Sequence, residues 1–145
     1  RERGDMMAAY YKRLTSKNAR VRAEAAKAWS VWEGTTSKLI TDPKLIKRFA
    51  GGKFADAFAR IECHYFVNNG FLDTDDQLLR NAKKLRKIPG VIVQGRYDVV
   101  CPMRSAWDLH KAWPEAKLVV IPDSGHSMTE VGIRKALIAE TDRLA

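Results

Sequence analysis

Cysteine is nearly absent from these 145 residues, which hold only Cys63 and Cys101. Two cysteines cannot build the cross-linked framework of a small secreted domain. No stretch approaches the roughly 18 consecutive apolar residues that a membrane-crossing helix requires. No charged segment followed by an apolar one opens the chain, as it would in a secretory leader. These absences lead us to expect a soluble protein of the reducing cytoplasm, without membrane association. Histidine is also scarce: His64, His110 and His126 show no paired ligand spacing, so no metal site is expected. Acidic residues are outnumbered, 17 against 26 Lys and Arg, and the formal net charge is +9. An excess of this size raises the question of phosphate binding. However, the basic residues are interleaved with acids, as in "KNARVRAEAAK", and the one dense cluster, "KKLRK" at 83–87, is short. We read them as solvated helix faces and expect no nucleic-acid partner.

The sequence does hold enough apolar material for a core. Hydrophobic residues make up 46% of it, with four Trp, four Tyr and five Phe. A domain of this length buries about two thirds of its unfolded surface. Residues 5–82 are rich in Ala, Leu, Lys, Arg and Glu and show no period-two alternation, which predicts helices. In "NARVRAEAAKAWSVWEG", Asn18 is a cap, Val21, Ala25, Ala28, Trp29 and Trp32 follow helical spacing, and Gly34 is a stop. A second helix is predicted from Asp42-Pro43, a third over about 53–67 with "NNG" ending it, and a fourth from Thr74 through Lys84.

The pattern changes after residue 85. "GVIVQG" at 90–95 and "KLVVIP" at 117–122 read as strands, with an amphipathic helix over about 103–111 between them and another over about 129–144 behind. The predicted class is α/β, with a parallel βαβ unit. Two strands do not make a stable parallel sheet, so we expect an N-terminal run of strands and helices to complete it. The chain begins at Arg1 rather than Met, in keeping with a piece of something longer.

Open parallel sheets place their chemistry beyond the C-terminal ends of the strands. There "GRYDVVCP" supplies Asp98 and "DSGHS" supplies His126. Each alone has an ordinary explanation, a turn cap for the aspartate and a satisfied loop residue for the histidine. Together they lie in adjacent loops that open on the same edge of a βαβ unit. A carboxylate there would accept the imidazole Nδ1–H and stabilise the imidazolium formed when Nε2 takes a proton. Acid after one strand and glycine-histidine after the next is the order of the last two triad members in α/β-hydrolases.

The blocks "ERGDMMAAYYKRLTS", "AAKAWSVWEG", "ARIECHYFVNNGF", "VIVQGRYDVVCP" and "AWDLHKAWPEAKLVVIPDSGH" together resemble the C-terminal half of bacterial-type proline iminopeptidases, serine peptidases of the α/β-hydrolase fold. The resemblance covers nearly the whole chain. It implies that residues 1–85 are most of a helical cap and 86–145 the last part of the hydrolase core. It also implies that Asp98 and His126 are catalytic and that no cofactor is needed. Glu33 and Glu62 match acids that grip the free imino group of an N-terminal proline. Phe66 matches a wall of the pyrrolidine pocket, and Cys101 a residue near it. The implied partners are peptides with a free N-terminal proline; the oligomeric state is left open.

The nucleophile is what these residues lack. None of Ser16, Ser30, Ser37, Ser105, Ser124 and Ser127 sits in a G-x-S-x-G-like strand-to-helix elbow. Cys101 stands at a helix start, where a thiol pKa falls, but it shares a loop with Asp98 and has no elbow around it. The serine is therefore expected upstream, and the 145 residues alone are expected to be inactive. Two alternatives remain at this point: another α/β-hydrolase, either an esterase or an aminopeptidase of different specificity, and a non-catalytic peptide-binding remnant. Reading the coding sequence upstream of Arg1 discriminates. An in-frame, strand-rich segment with a serine elbow is expected, whereas a start codon directly before Arg1 would favour the remnant.

Overall fold

The computed structural model describes residues 2–144 and divides into two compact units. The first runs to Thr35 and resumes over Asp42–Asp73; the second comprises Thr36–Thr41 and the chain from Thr74 onward.

The first unit is helical. After a short 3-10 turn at Glu2–Gly4 come α1 (Met6–Leu14), α2 (Ala19–Thr36), α3 (Pro43–Phe49) and α4 (Gly52–Val67). Their starts follow from short polar side chains that accept otherwise unpaired N–H groups. Asp5 Oδ1 accepts from Ala8 N at 2.9 Å, Asn18 Oδ1 from Arg20 N at 2.9 Å, and Asp42 Oδ1 from Lys44 N and Leu45 N at 3.0 and 3.2 Å. Pro43 occupies the first turn of α3, where its missing N–H costs nothing. The end of α4 comes at Val67, and the 3-10 turn Asn69–Phe71 follows with three consecutive positive φ values, at Asn69, Gly70 and Phe71.

Two details differ from the sequence expectation. Gly34 does not stop α2, which continues to Thr36; a Cβ at this position would lie 3.0 Å from Cγ of Phe49, so the glycine admits close packing. The buried face of α2 is Ala25, Ala26, Trp29, Ser30 and Gly34, whereas Trp32 is 67% exposed and Ala28 is also exposed. A step of three residues turns a helix by about 300°, which carries Trp32 to the flank of that stripe.

Small residues dominate the core of this unit. Leu14, Ala25, Ala26, Trp29, Ala55, Ala59 and Cys63 form one cluster, flanked by Tyr10, Phe58 and Val67. Alanines let helix axes approach closely, so the few large members carry much of the apolar contact. Phe49 of α3 packs edge-on against Phe54 and Phe58 of α4 at centroid distances of 5.0 and 5.4 Å.

The second unit contains α5 (Gln77–Asn81), β1 (Val91–Gly95), α6 (Met103–Ala112), β2 (Lys117–Ile121) and α7 (Val131–Leu144). The helix predicted over Thr74–Lys84 is shorter than expected: α5 gives way to a 3-10 turn at Ala82–Leu85. The βαβ prediction holds. Strands β1 and β2 pair in parallel, in a register running from Val91 opposite Lys117 to Gly95 opposite Ile121. Helices α6 and α7 both pack on this pair. Among the described residues, no helix is long and apolar enough to cross a membrane.

Leu14 is 1% exposed and is the largest aliphatic side chain in the core cluster of the first unit. Leu14→Ala is expected to cost about 3 kcal/mol, the usual range for emptying a leucine-sized core site. A urea midpoint that does not fall would contradict this core assignment.

Candidate active site

The parallel register sets the geometry beyond the strand ends. Past Gly95 and Ile121 the two chains stay joined through their backbones: Arg96 N donates to Ile121 O at 2.9 Å and Tyr97 N to Ser124 O at 3.0 Å. The loop carrying the aspartate and the loop carrying the histidine are thus fixed to each other before any side chain contributes. Gly95 makes this approach possible, because a Cβ there would lie 1.9 Å from the carbonyl oxygen of Gly125 and 2.7 Å from that of Ser124.

His126 Nδ1 lies 3.0 Å from Asp98 Oδ2. An ionised carboxylate only accepts, so Nδ1 carries the proton and Nε2 is the nitrogen left for exchange with a reacting group. The Asp98 side chain is 6% exposed and that of His126 40%. Burial of the acid is balanced by hydrogen bonds to both of its oxygens. Oδ1 accepts from Val100 N at 2.9 Å and Cys101 N at 2.7 Å, and Oδ2 also accepts from Gln94 Nε2 at 3.3 Å. Gln94 Nε2 reaches Cys101 O as well, at 3.0 Å, so this side chain ties the aspartate turn together from the end of β1. Sequence reasoning missed Gln94, and a polar residue inside an apolar strand was the signal available. Cys101 is exposed and enters this turn through its backbone.

The histidine loop is held from a second side. Ser37 O accepts from both His126 N and Ser127 N, at 3.1 and 2.7 Å. Glu130 Oε1 accepts from Gly125 N at 2.8 Å, and Oε2 from Leu39 N at 3.2 Å. Gly125 is in close contact here, since a Cβ would lie 2.8 Å from Leu39 N. Nothing in the local pattern of "TTSKLIT" predicted that this segment would pack on the histidine loop.

The remaining sequence candidates, Glu33, Glu62 and Phe66, belong to the first unit. Glu62 Oε2 accepts from Trp29 Nε1 at 2.6 Å, a bond joining α4 to α2. Trp29 is 8% exposed and its ring meets Tyr10 edge-on at 5.2 Å and Phe66 at 6.0 Å. Beside it an open cleft of about 410 Å³ is lined by Met7, Tyr10, Trp29, Trp32, Glu33 and Phe66, among others. An aromatic wall with a carboxylate at its edge is suited to an organic cation. A second cleft of the same unit, about 430 Å³, is lined by Tyr11, Arg60, Ile61, His64 and Tyr65 and contains no carboxylate, so it is less suited to a cation. Cys63, next to Glu62, is 1% exposed. Burial, and secondarily the Glu62 charge, raise its thiol pKa above the ordinary value.

A parallel strand pair with an acid–imidazole contact at its C-terminal edge is consistent with the C-terminal part of an α/β-hydrolase fold. The chain belongs to that fold class through the TAP-like protein family, whose model matches residues 52–140. It is 69% identical over 142 residues to a probable proline iminopeptidase of Leptolyngbya boryana, covering 98% of this chain and 44% of that protein. It is 57% identical over 144 residues to the proline iminopeptidase of Xanthomonas citri, covering 99% and 46%, and 49% identical over 144 residues to that of Arabidopsis thaliana, covering 99% and 38%. The chain therefore spans less than half the length of these relatives.

Two expectations follow. Gly95→Ala forces the histidine loop away from β1 and is expected to cost about 2 kcal/mol by overpacking; an unchanged urea midpoint would show that the loops yield freely. A thiol reagent at pH 7 is expected to modify Cys101 and spare Cys63 until the protein unfolds. Because the Cys63 pKa is raised in the folded state, its contribution to stability holds at neutral pH and fades as pH rises from the unfolded thiol value toward the folded one. Equal labelling rates for both thiols would contradict the burial of Cys63.

Proposed function

We propose that the chain is part of a proline iminopeptidase, which releases N-terminal proline from peptides through an acyl-enzyme, and that Asp98 and His126 are two members of its triad. The observation that carries this reading is the 3.0 Å contact between His126 Nδ1 and Asp98 Oδ2 at the ends of two parallel strands, in a chain whose relatives bear that name. In this reading His126 Nε2 removes the proton of a serine hydroxyl as that oxygen attacks the prolyl carbonyl. The resulting imidazolium, stabilised by Asp98, gives the proton to the departing amine, and His126 then activates the water that releases proline. On this reading the serine and the backbone N–H groups that receive the oxyanion lie upstream of these 145 residues. The chain alone is inactive on this account.

The same reading assigns residues 1–85 to a helical cap and 86–145 to the hydrolase core. Glu33 and Glu62 hold the secondary ammonium of the substrate and Phe66 walls the ring pocket; Cys101 is a further substrate-binding residue on this reading. A carboxylate in a partly dry site binds a cation strongly and rejects a blocked, uncharged N-terminus. The bond from Trp29 to Glu62 and the apolar cleft beside Glu33 support this division of labour.

The test uses the full-length protein and a proline arylamide. His126→Ala is expected to lower kcat on the order of 10⁶-fold, the usual consequence of losing a triad histidine. Glu62→Gln is expected to reduce kcat/KM for unblocked proline about 10- to 100-fold, as for loss of one charge-assisted contact. Wild-type kinetics in both variants would sink the reading. A substrate panel without preference for free N-terminal proline would leave a hydrolase of other specificity, and binding without turnover would leave a peptide-binding module.

A further inference from the structure

Glu130 is placed oddly for its type. Its carbonyl accepts the first intrahelical bond of α7, from Arg134 N at 2.9 Å, so it occupies the cap position just before Val131. Caps favour Ser, Thr, Asp and Asn, whose short side chains turn onto the helix's own N–H groups. The Glu130 side chain instead points back along the chain. One oxygen receives Gly125 N–H, immediately before His126, and the other receives Leu39 N–H. Between these two anchors, Ser37 O receives the N–H groups of His126 and Ser127. One carboxylate and one carbonyl therefore join the 37–39 strap to three successive residues of the histidine loop. Where a local preference is broken and the side chain serves a site instead, a functional role is the expected reason.

We propose that Glu130 is a positioning residue for His126: by bridging the Gly125 and Leu39 amides it clamps the strap against the histidine loop and sets the imidazole at hydrogen-bond distance from Asp98. This rests on the reading of His126 as the acid–base group. Asp98 is fixed by its own turn and by Gln94, independently of the strap. Release of the clamp thus moves one partner of the pair and leaves the other in place. A misplacement of about 1 Å in a reacting group costs on the order of 10²-fold in rate.

The experiment compares Glu130→Ala, Glu130→Gln and His126→Ala in the full-length protein with a proline arylamide. It also follows the downfield proton NMR signal of the His126 Nδ1–H. Glu130→Ala, which loses both acceptors, is expected to lower kcat about 100-fold with KM little changed and to weaken or abolish the downfield signal. Glu130→Gln keeps the volume and one acceptor oxygen; about a tenfold loss is expected, and this variant decides the matter if the alanine variant does not fold. A lowered denaturation midpoint with wild-type kcat and an intact Nδ1–H signal would make the clamp merely structural and overturn the proposal. If His126→Ala itself retains turnover, the underlying reading fails; if it abolishes turnover while both Glu130 variants stay fully active, only the clamp fails.

Discussion

The close approach of two backbones at the ends of β1 and β2 is the constraint on which the second unit depends. Strands in parallel register end level with each other, at Gly95 and Ile121, and both chains must then turn. The turns stay joined because Arg96 and Tyr97 donate to Ile121 and Ser124, and this requires a residue without a Cβ at position 95. The aspartate–histidine contact is the consequence of that approach rather than its cause. A hydrogen bond between two side chains separated by 28 positions would otherwise carry the full entropic cost of ordering two loops. Here the backbone ladder has already met most of it.

Orientation of carboxylates by N–H donors recurs through the molecule. Asp98 is held by two backbone amides, a glutamine amide and an imidazole; Glu62 by an indole; Glu130 by two amides from different segments. A carboxylate held in this way loses its rotational freedom. For Asp98 the arrangement suits an acid that orients an imidazole without exchanging protons itself, because it is nearly buried while its histidine partner stays accessible. A carboxylate waving in solvent at the same distance would be screened and would fix neither the tautomer nor the ring plane.

Periodicity and chain order made much of this legible before any coordinates. Short apolar runs, one bounded by glycines and one closed by Pro122, gave β1 and β2, and the loop after each supplied one member of the pair. Asn18 and Asp42 marked helix starts because capping is a local interaction, written within three residues of sequence. What escaped was non-local. Gly34 reads as a stop by every local criterion, yet Phe49 packs against it and α2 runs on. The strap at 36–41 carries no periodic or motif signal; its place on the histidine loop comes from Glu130 and from backbone carbonyls, which all sequences possess alike. Gln94 reads as one polar interruption in a strand, and its task becomes visible only once the turn from Gly95 to Cys101 folds back over it.

The role proposed for the first unit poses the complementary problem of receiving a cation on an apolar surface. Aromatic and methionine side chains favour a hydrophobic ring but penalise an ammonium, whose desolvation is repaid only by a well-placed negative charge. The bond from Trp29 Nε1 bears on both requirements. It fixes one oxygen of Glu62, so the direction of the other is set by the α2–α4 packing, and it satisfies an indole N–H in a ring that is 8% exposed. That packing in turn depends on alanines at 25, 26, 55 and 59, since larger residues there would separate the helices and lengthen a 2.6 Å contact. On the proposed function, selection for a charged N-terminus would thereby be tied to core positions of this unit, and specificity would be as much a matter of helix spacing as of the acids themselves.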